Sequence, residues 1–192
     1  MTDILNDILT DFGVASKFLI QLFKEKAIIK EYTKSTNIFV EGKKNELEYI
    51  LISGVLHRFN ISDKGDIATT GFYMPKSVIT PHFARTKKGK NIFNLQSLTD
   101  AVIAEISVKD LDNLRNNHKE FHDFGQCILE NELAQTFFNE VVYRSYNAKE
   151  RLLSLRNQFP NLENLVPHNI ISSYLGITNV SFSRLRNELS KK

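Results

Sequence analysis

Apolar residues recur with a helical period at the start of the chain: Ile4, Leu5, Ile8, Leu9 and Phe12, until Gly13 interrupts the run. A second set, Phe18, Leu19, Leu22 and Phe23, shares one face behind Ser16, a residue type that caps helix N-termini. Two helices are therefore expected in residues 1–26. From 27 to 107 the pattern becomes that of strands. Short β-rich runs (AIIKEYT, NIFVEG, LEYILISGVLHRFNIS, IATTGFY, NIFNLQSL and AVIAEIS) are separated by turn signals. Asp63-Lys64-Gly65-Asp66 reads as a hairpin turn, Met74-Pro75 as a strand end and Thr99-Asp100 as a joint. No helical pattern interrupts this stretch. About seven or eight short strands with tight turns predict an antiparallel sandwich or jelly roll.

The helical period returns after Ser107. Residues 108–116 form a short helix, with Ser107 and Asp110 in capping-box spacing. Residues 118–145 then hold no proline and no glycine except Gly125. A helix of roughly 25 residues runs about 38 Å, more than a small domain needs. Its apolar residues, Phe121, Phe124, Ile128, Leu129, Leu133, Phe137, Phe138, Val141 and Val142, cover more than one face. One face would lie on the β-rich part while the other takes a partner helix, which points to dimerisation. A helix buried within a monomer is the alternative.

From 147 onward the chain reads as short helices. AKERLLSLRNQFP ends at Phe159-Pro160, because proline disfavours helix in the residue before it. Pro167 opens HNIISSYLG and Thr178 caps VSFSRLRNEL. Residues 169–189 have the mechanics of a helix-turn-helix. Ile170, Ile171, Tyr174 and Leu175 form the apolar face of a first helix, and small Ser172 precedes Gly176, where the helices approach and the chain turns. Ile177 plugs the corner, with Val180, Leu185 and Leu189 expected to turn inward from the second helix. The polar set is then Asn179, Ser181, Ser183, Arg184 and Arg186. Asn can pair with adenine and Arg with guanine in the major groove, and Ser and Thr suit phosphates or base edges. Ordinary helical hairpins share the spacing, so the pattern is a DNA-reading candidate, not a proof.

Charge sharpens that picture. The 192 residues carry a net +3, with eight Lys/Arg from Arg144 onward against Glu150, Glu163 and Glu188, which leaves residues 1–143 at −2. A basic C-terminal quarter fits a polyanion-binding end, nucleic acid being the commonest polyanion, as well as a solvated helix surface. The chain is 42% hydrophobic and 24% charged, enough apolar material for a core. One cysteine, Cys127, excludes an intramolecular disulfide, a Cys-ligated zinc site and a four-cysteine iron–sulfur cluster. No apolar run approaches the roughly 20 residues that span a bilayer. The acidic N-terminus, MTDILNDILTDFG, does not read as a signal peptide, so the expected location is cytoplasmic.

The order of N-terminal helices, jelly roll, long helix and C-terminal helix-turn-helix resembles the Crp–Fnr family of bacterial transcription regulators, over essentially the whole chain. The stretch ERLLSLRNQFPNLENLVPHNIISSYLGITNVSFSRLRNEL is similar to that of Bacteroidetes-type members. The resemblance implies that Glu150-Arg151 starts the DNA-binding domain and that residues 178–189 are the recognition helix. Asn179, Val180 and Arg184 fall where the family places base-contacting side chains. Val180 replaces the acidic residue often found there, and with it a contact to cytosine. Larger members continue into a β-hairpin wing on the DNA backbone. Three residues follow Leu189 here, so the expectation is a domain lacking the wing. Lys191 and Lys192 would then supply part of the lost phosphate contacts, and binding would be weaker and more salt-sensitive.

The family's jelly roll often binds a cyclic nucleotide through a Gly-Glu pair and an Arg followed by Ser/Thr and Ala. Here Lys76-Ser77 stand for the first pair, and Asn91 and Ile92 for the arginine. Without those charge-assisted bonds, strong binding of cAMP or cGMP is not expected. Lys76, His82, Arg85, Lys87, Lys88 and Lys90 crowd into residues 76–90, which reads as an exposed lysine-rich loop or a site for another anion. For the second reading the ligand residues are Lys76, Ser77, His82 and Arg85.

The remaining special residues read as ordinary. Cys127 reads as a packing residue, and His57 shares a strand face with Val55 and Phe59. His118 and His122, spaced i, i+4, lack further ligands, and Asp110 and Asp112 do not share a helix face. No nucleophile–base pair or phosphate-cradling glycine loop is found, so no enzyme, metal or cofactor is expected.

The chain is thus expected to be an α+β protein with three parts: a sensor-like jelly roll with N-terminal helices (1–117), a long dimerisation helix (118–146) and a helix-turn-helix domain (147–192). Its expected partners are double-stranded DNA and a second copy, with RNA polymerase added by any activating role. The contrasting reading is a sensor for a cyclic nucleotide or other small anion that does not read DNA, and a purely structural or protein-interaction role is a third.

Overall fold

The computed structural model describes the backbone of residues 2–190 and the side chains of residues 4–190. Two helices, α1 (Thr2–Asp11) and α2 (Lys17–Lys26), lead into strands β1 (Ile28–Tyr32), β2 (Asn37–Phe39), β3 (Leu47–Ser53), β4 (Leu56–Ile61), β5 (Ile67–Tyr73) and β6 (Ser77–Val78). One turn of helix, α3 (His82–Arg85), precedes β7 (Thr86–Lys87), β8 (Lys90–Asn91), β9 (Asn94–Ser97) and β10 (Ala101–Ser107). Helices α4 (Val108–Asn117), α5 (Lys119–Ser145), α6 (Ala148–Gln158), α7 (Leu162–Leu165), α8 (His168–Leu175) and α9 (Asn179–Leu189) follow.

The strands form a two-sheet antiparallel sandwich. One sheet runs β1-β10-β3-β6 and the other β2-β9-β4-β5, so β5 lies at a sheet edge. Phe39, Tyr49, Leu51, Leu56, Ile79, Leu95 and Ile103 fill the space between them. The caps behave as local chemistry dictates: Ser16 Oγ accepts from the Leu19 N–H at 3.4 Å, and Ser107 Oγ from the Asp110 N–H at 3.0 Å.

Helix α3 departs from the expectation that no helix interrupts the β-rich stretch. Pro81 precedes it, and both Glu48 carboxylate oxygens lie 3.0 Å from the His82 N–H. A carboxylate on β3 thus satisfies the first orphan donor, a partner that local periodicity does not reveal.

The long helix divides into two parts. Phe121, Phe124 and Ile128 are buried against α1, α2 and α4 and the outer side of β3 and β10. Glu120 fixes this end by accepting the Ala15 and Ser16 N–H groups at 2.7 and 2.9 Å. Beyond Ile128 the helix leaves that core, and Leu129, Leu133, Phe137, Phe138 and Val141 are exposed. Among the described residues, no helix is long and apolar enough to cross a membrane.

Candidate nucleic-acid interface

Helix α6 begins with a capping box: Asn147 accepts the Lys149 and Glu150 N–H groups, and Glu150 returns a carboxylate to the Asn147 N–H at 2.8 Å. Helix α8 ends at Gly176, whose φ of +65° suits glycine and lets its N–H reach the Ser172 and Ser173 carbonyls. The next helix, α9, is capped by Thr178, which accepts the Ser181 N–H at 3.1 Å.

One aromatic ring holds these helices together. Phe182 is fully buried among Leu152, Leu155, Leu162, Val166, Ile171 and Leu175. Leu185 and Leu189 pack partly against the same cluster. This corrects the inward assignment of Val180, which is 62% exposed. Positions 182, 185 and 189 share the buried face of α9, which turns 180, 183, 184 and 187 the other way. Asn187 is exposed beside Ser183 and Arg184 and was missed in the sequence. Its signal is the i, i+3, i+4, i+7 series that starts at Val180.

The predicted base-reading residues divide into engaged and free. Arg184 and Ser183 are exposed, and Arg184 has no hydrogen bond or ion pair among the described residues. Asn179 is exposed, and its Oδ1 accepts a hydrogen bond from Ser172 Oγ, which leaves Nδ2 and the second Oδ1 lone pair for a base edge. The Thr178 and Ser181 hydroxyls lie 3.0 Å apart within the cap. Arg186 is engaged: its Nε donates to Glu163 Oε2 at 2.9 Å, and its guanidinium lies over the Phe182 ring. Arg156 binds the same carboxylate through Nε at 2.6 Å and Nη2 at 3.2 Å. Burial pushes the Glu163 carboxyl up, but the two guanidiniums more than offset it and hold its pKa below the usual value of 4.5. Lys191 and Lys192 lie outside the described residues.

The helix-turn-helix is seated on the sandwich. Ser173 Oγ donates to the Ile67 carbonyl at 2.6 Å and accepts the Thr69 N–H at 3.0 Å. Phe72 on β5 packs against Tyr174 and Phe159, with ring centroids 5.1 and 5.9 Å away. From the long helix, the Tyr143 hydroxyl donates to the Tyr174 carbonyl.

The four residues considered as anion ligands have separate duties. Lys76 adopts a left-handed φ of 69° with its ammonium 3.9 Å from Asp7, and Ser77 Oγ donates to the Met74 carbonyl at 2.6 Å. His82 gives its main-chain N–H to Glu48. Arg85 is corrected as a surface ligand, because its side chain is completely buried between the Phe39 and Tyr49 rings. Its guanidinium donates to Asn91 Oδ1 at 3.0 Å and to the Leu47 carbonyl. Among the described residues, no group of three His, Cys, Asp or Glu is placed to hold a metal ion.

Comparison with known proteins finds similarity to named regulators. The chain is 24% identical over 173 residues to electron transport regulator A of Shewanella oneidensis, covering 84% of this chain and 68% of that protein. It is 25% identical over 173 residues to the regulatory protein HlyX of Actinobacillus pleuropneumoniae, covering 84% and 71%. Among solved structures, FixK2 from Bradyrhizobium japonicum matches with a TM-score of 0.74 at 17% identity, over 86% of this chain and 85% of that one. The c-di-GMP-responsive global regulator CLP of Xanthomonas campestris matches with a TM-score of 0.72 at 16% identity, over 92% of both chains. No protein-family model matches the chain.

Proposed function

We infer that this chain is a DNA-binding transcription regulator of the Crp–Fnr type, working in the cytoplasm as a homodimer. The observation that carries the reading is the outward stripe of α9. Val180, Ser183, Arg184 and Asn187 stand clear of the helix core, with the Arg184 guanidinium unpaired among the described residues. An unpaired arginine on a capped, well-anchored helix is suited to guanine in the major groove. Val180 offers an apolar contact of the kind a thymine methyl takes.

The second copy is supported by Leu129, Leu133, Phe137 and Val141, which repeat every four residues along the part of α5 that leaves the core. Such a ridge matches the seam of paired helices. Two recognition helices related by a two-fold axis would then enter successive major grooves, about 34 Å apart.

The reading carries no strong binding of a cyclic nucleotide. By the sequence resemblance Lys76 and Ser77 stand for the acidic ribose contact and Asn91 for the phosphate-binding arginine, and Asn91 is buried and bonded to Arg85. Strong cAMP binding is therefore not part of the proposal, and no catalytic step is assigned. Activation would add RNA polymerase as a partner.

The test is selection from a random duplex DNA pool at low salt, run beside Arg184→Ala. Enrichment of a palindrome with half-sites one helical turn apart, lost in the variant, is the expected result. Failure to enrich any sequence, with or without cell extract as a source of effector, would sink the reading in favour of a sensor that does not read DNA.

A further inference from the structure

The sandwich and the long helix meet at a charged junction that DNA reading does not use. Arg58 on β4 points along the sheet toward α5, with only 19% of its side chain exposed. Its Nη1 donates to Glu132 Oε1 at 3.1 Å and lies 3.1 Å from Thr80 Oγ1, while Nε donates to the Thr70 carbonyl at 3.3 Å. Thr80 Oγ1 donates to the same Glu132 oxygen at 2.8 Å and is held at 2.6 Å by the Tyr73 hydroxyl.

The backbone is shaped for this arginine. Gly71 is the cross-strand partner of Arg58, and a Cβ there would lie 2.6 Å from Arg58 Nε. Any side chain at 71 would therefore displace the guanidinium. Arg58, Thr80 and Tyr73 all come from the sandwich, and Thr80 and Tyr73 are buried. Arg58 and Thr80 converge on one Glu132 oxygen, Tyr73 holds the Thr80 hydroxyl from behind, and the acceptor is the member of this set supplied by the helix. A largely enclosed guanidinium with a hydroxyl donor beside it can hold an anion by charge-assisted hydrogen bonds.

We propose that Arg58 and Thr80, the latter positioned by Tyr73, form a binding site for a small carboxylate, and that Glu132 of the same chain is its tethered resident ligand. Glu132 follows Ile128 by one helical turn, where α5 leaves the core, so its seating sets how the helix departs from the sandwich. Tethering gives Glu132 an effective concentration of millimolar order or higher, which excludes dilute free carboxylates from the intact protein. The inference does not depend on DNA binding and is tested without DNA.

Glu132→Ala should empty the subsite and leave the guanidinium without its anion. A fall in thermal midpoint of about 3–8 °C is expected. Sodium acetate or formate at about 0.2 M should restore about 2 °C or more of it, compared with equal sodium chloride. Glu132→Gln, whose side chain still fills the slot, should gain nothing from acetate. The double variant Arg58→Gln/Glu132→Ala should gain nothing either. Equal responses of the single and double alanine variants, or no response from the folded single variant, would overturn the proposal. If Glu132→Ala does not fold, the unmodified chain decides by NMR. Slowly exchanging Arg58 guanidinium protons that move in Glu132→Gln support the site, and protons averaged like those of surface arginines overturn it.

Discussion

Ser173 acts as a strand partner for Thr69. Its hydroxyl accepts the Thr69 N–H at 3.0 Å and donates to the Ile67 carbonyl at 2.6 Å, two residues away on the same edge strand. An edge strand otherwise presents unpaired main-chain groups. One side chain of the helix-turn-helix thus closes part of the sandwich edge, and the neighbouring Phe72–Tyr174 contact adds apolar burial.

Ser173→Ala leaves both main-chain groups without that partner. The expected cost is about 1–3 kcal/mol of docking free energy. Hydrogen exchange at the Thr69 amide should accelerate, while amides around Phe182 keep their protection. Unchanged exchange at Thr69 would mean that the seat is not held by this side chain.

Arg184 and Arg186 lie two positions apart and should respond differently. Arg184→Ala is expected to cost about 1–3 kcal/mol of operator binding and relax the preference at one base pair per half-site. Arg186→Ala takes one of two guanidiniums from Glu163, so it should lower the stability of the terminal helices and leave base preference intact. Parallel binding titrations on single-base operator variants, with thermal melts of both proteins, separate the two effects.

Phe137 and Leu133 are 60% and 54% exposed on α5. Replacing both with Glu should convert a dimer of twice the 22.1 kDa chain mass into a monomer. Light scattering on the eluting protein checks this, with circular dichroism to show that the fold persists. A chain that is already monomeric before substitution would remove the dimer from the proposed function.

His57 provides a pH dependence. It is 1% exposed, stacked on Phe59 at 4.7 Å, with Gln96 Oε1 3.3 Å from its Nε2. Burial pushes its pKa down to about 4, against a partial lift from the Gln96 hydrogen bond. Between that value and the ordinary 6.5, the unfolded chain binds a proton that the folded chain does not. Stability is therefore complete above pH 6.5 and falls as the pH drops, by about 3 kcal/mol at pH 4. Urea midpoints from pH 7 to 5 should decline in the parent and stay flatter in His57→Gln.

The helices and strands were legible because their signals are local. Ser16, Ser107 and Thr178 cap the helices they precede, and each answers an N–H three residues on. The turn at Gly176 follows in the same way from a left-handed position that suits glycine. Helix α3 was illegible because its first donor is satisfied by Glu48, 34 positions earlier. Val180 and Phe182 are both apolar near the start of one helix, but only Phe182 stands i, i+3, i+7 with Leu185 and Leu189, so the inward assignment of Val180 went against the period. The space left among Leu162, Val166 and Ile171 takes Phe182.

By itself the sequence determined the order of elements apart from α3, the caps, the Gly176 turn and an uncommitted basic end, since each rests on neighbours close along the chain. The tertiary structure alone decided which charges stay free. Arg184 remains unpaired among the described residues, Arg186 is tied to Glu163, Arg58 to Glu132, and Arg85 lies between two rings. A guanidinium is equally polar in every one of these places. Its role is set by the acceptors that folding brings within about 3 Å, and those come from distant parts of the chain.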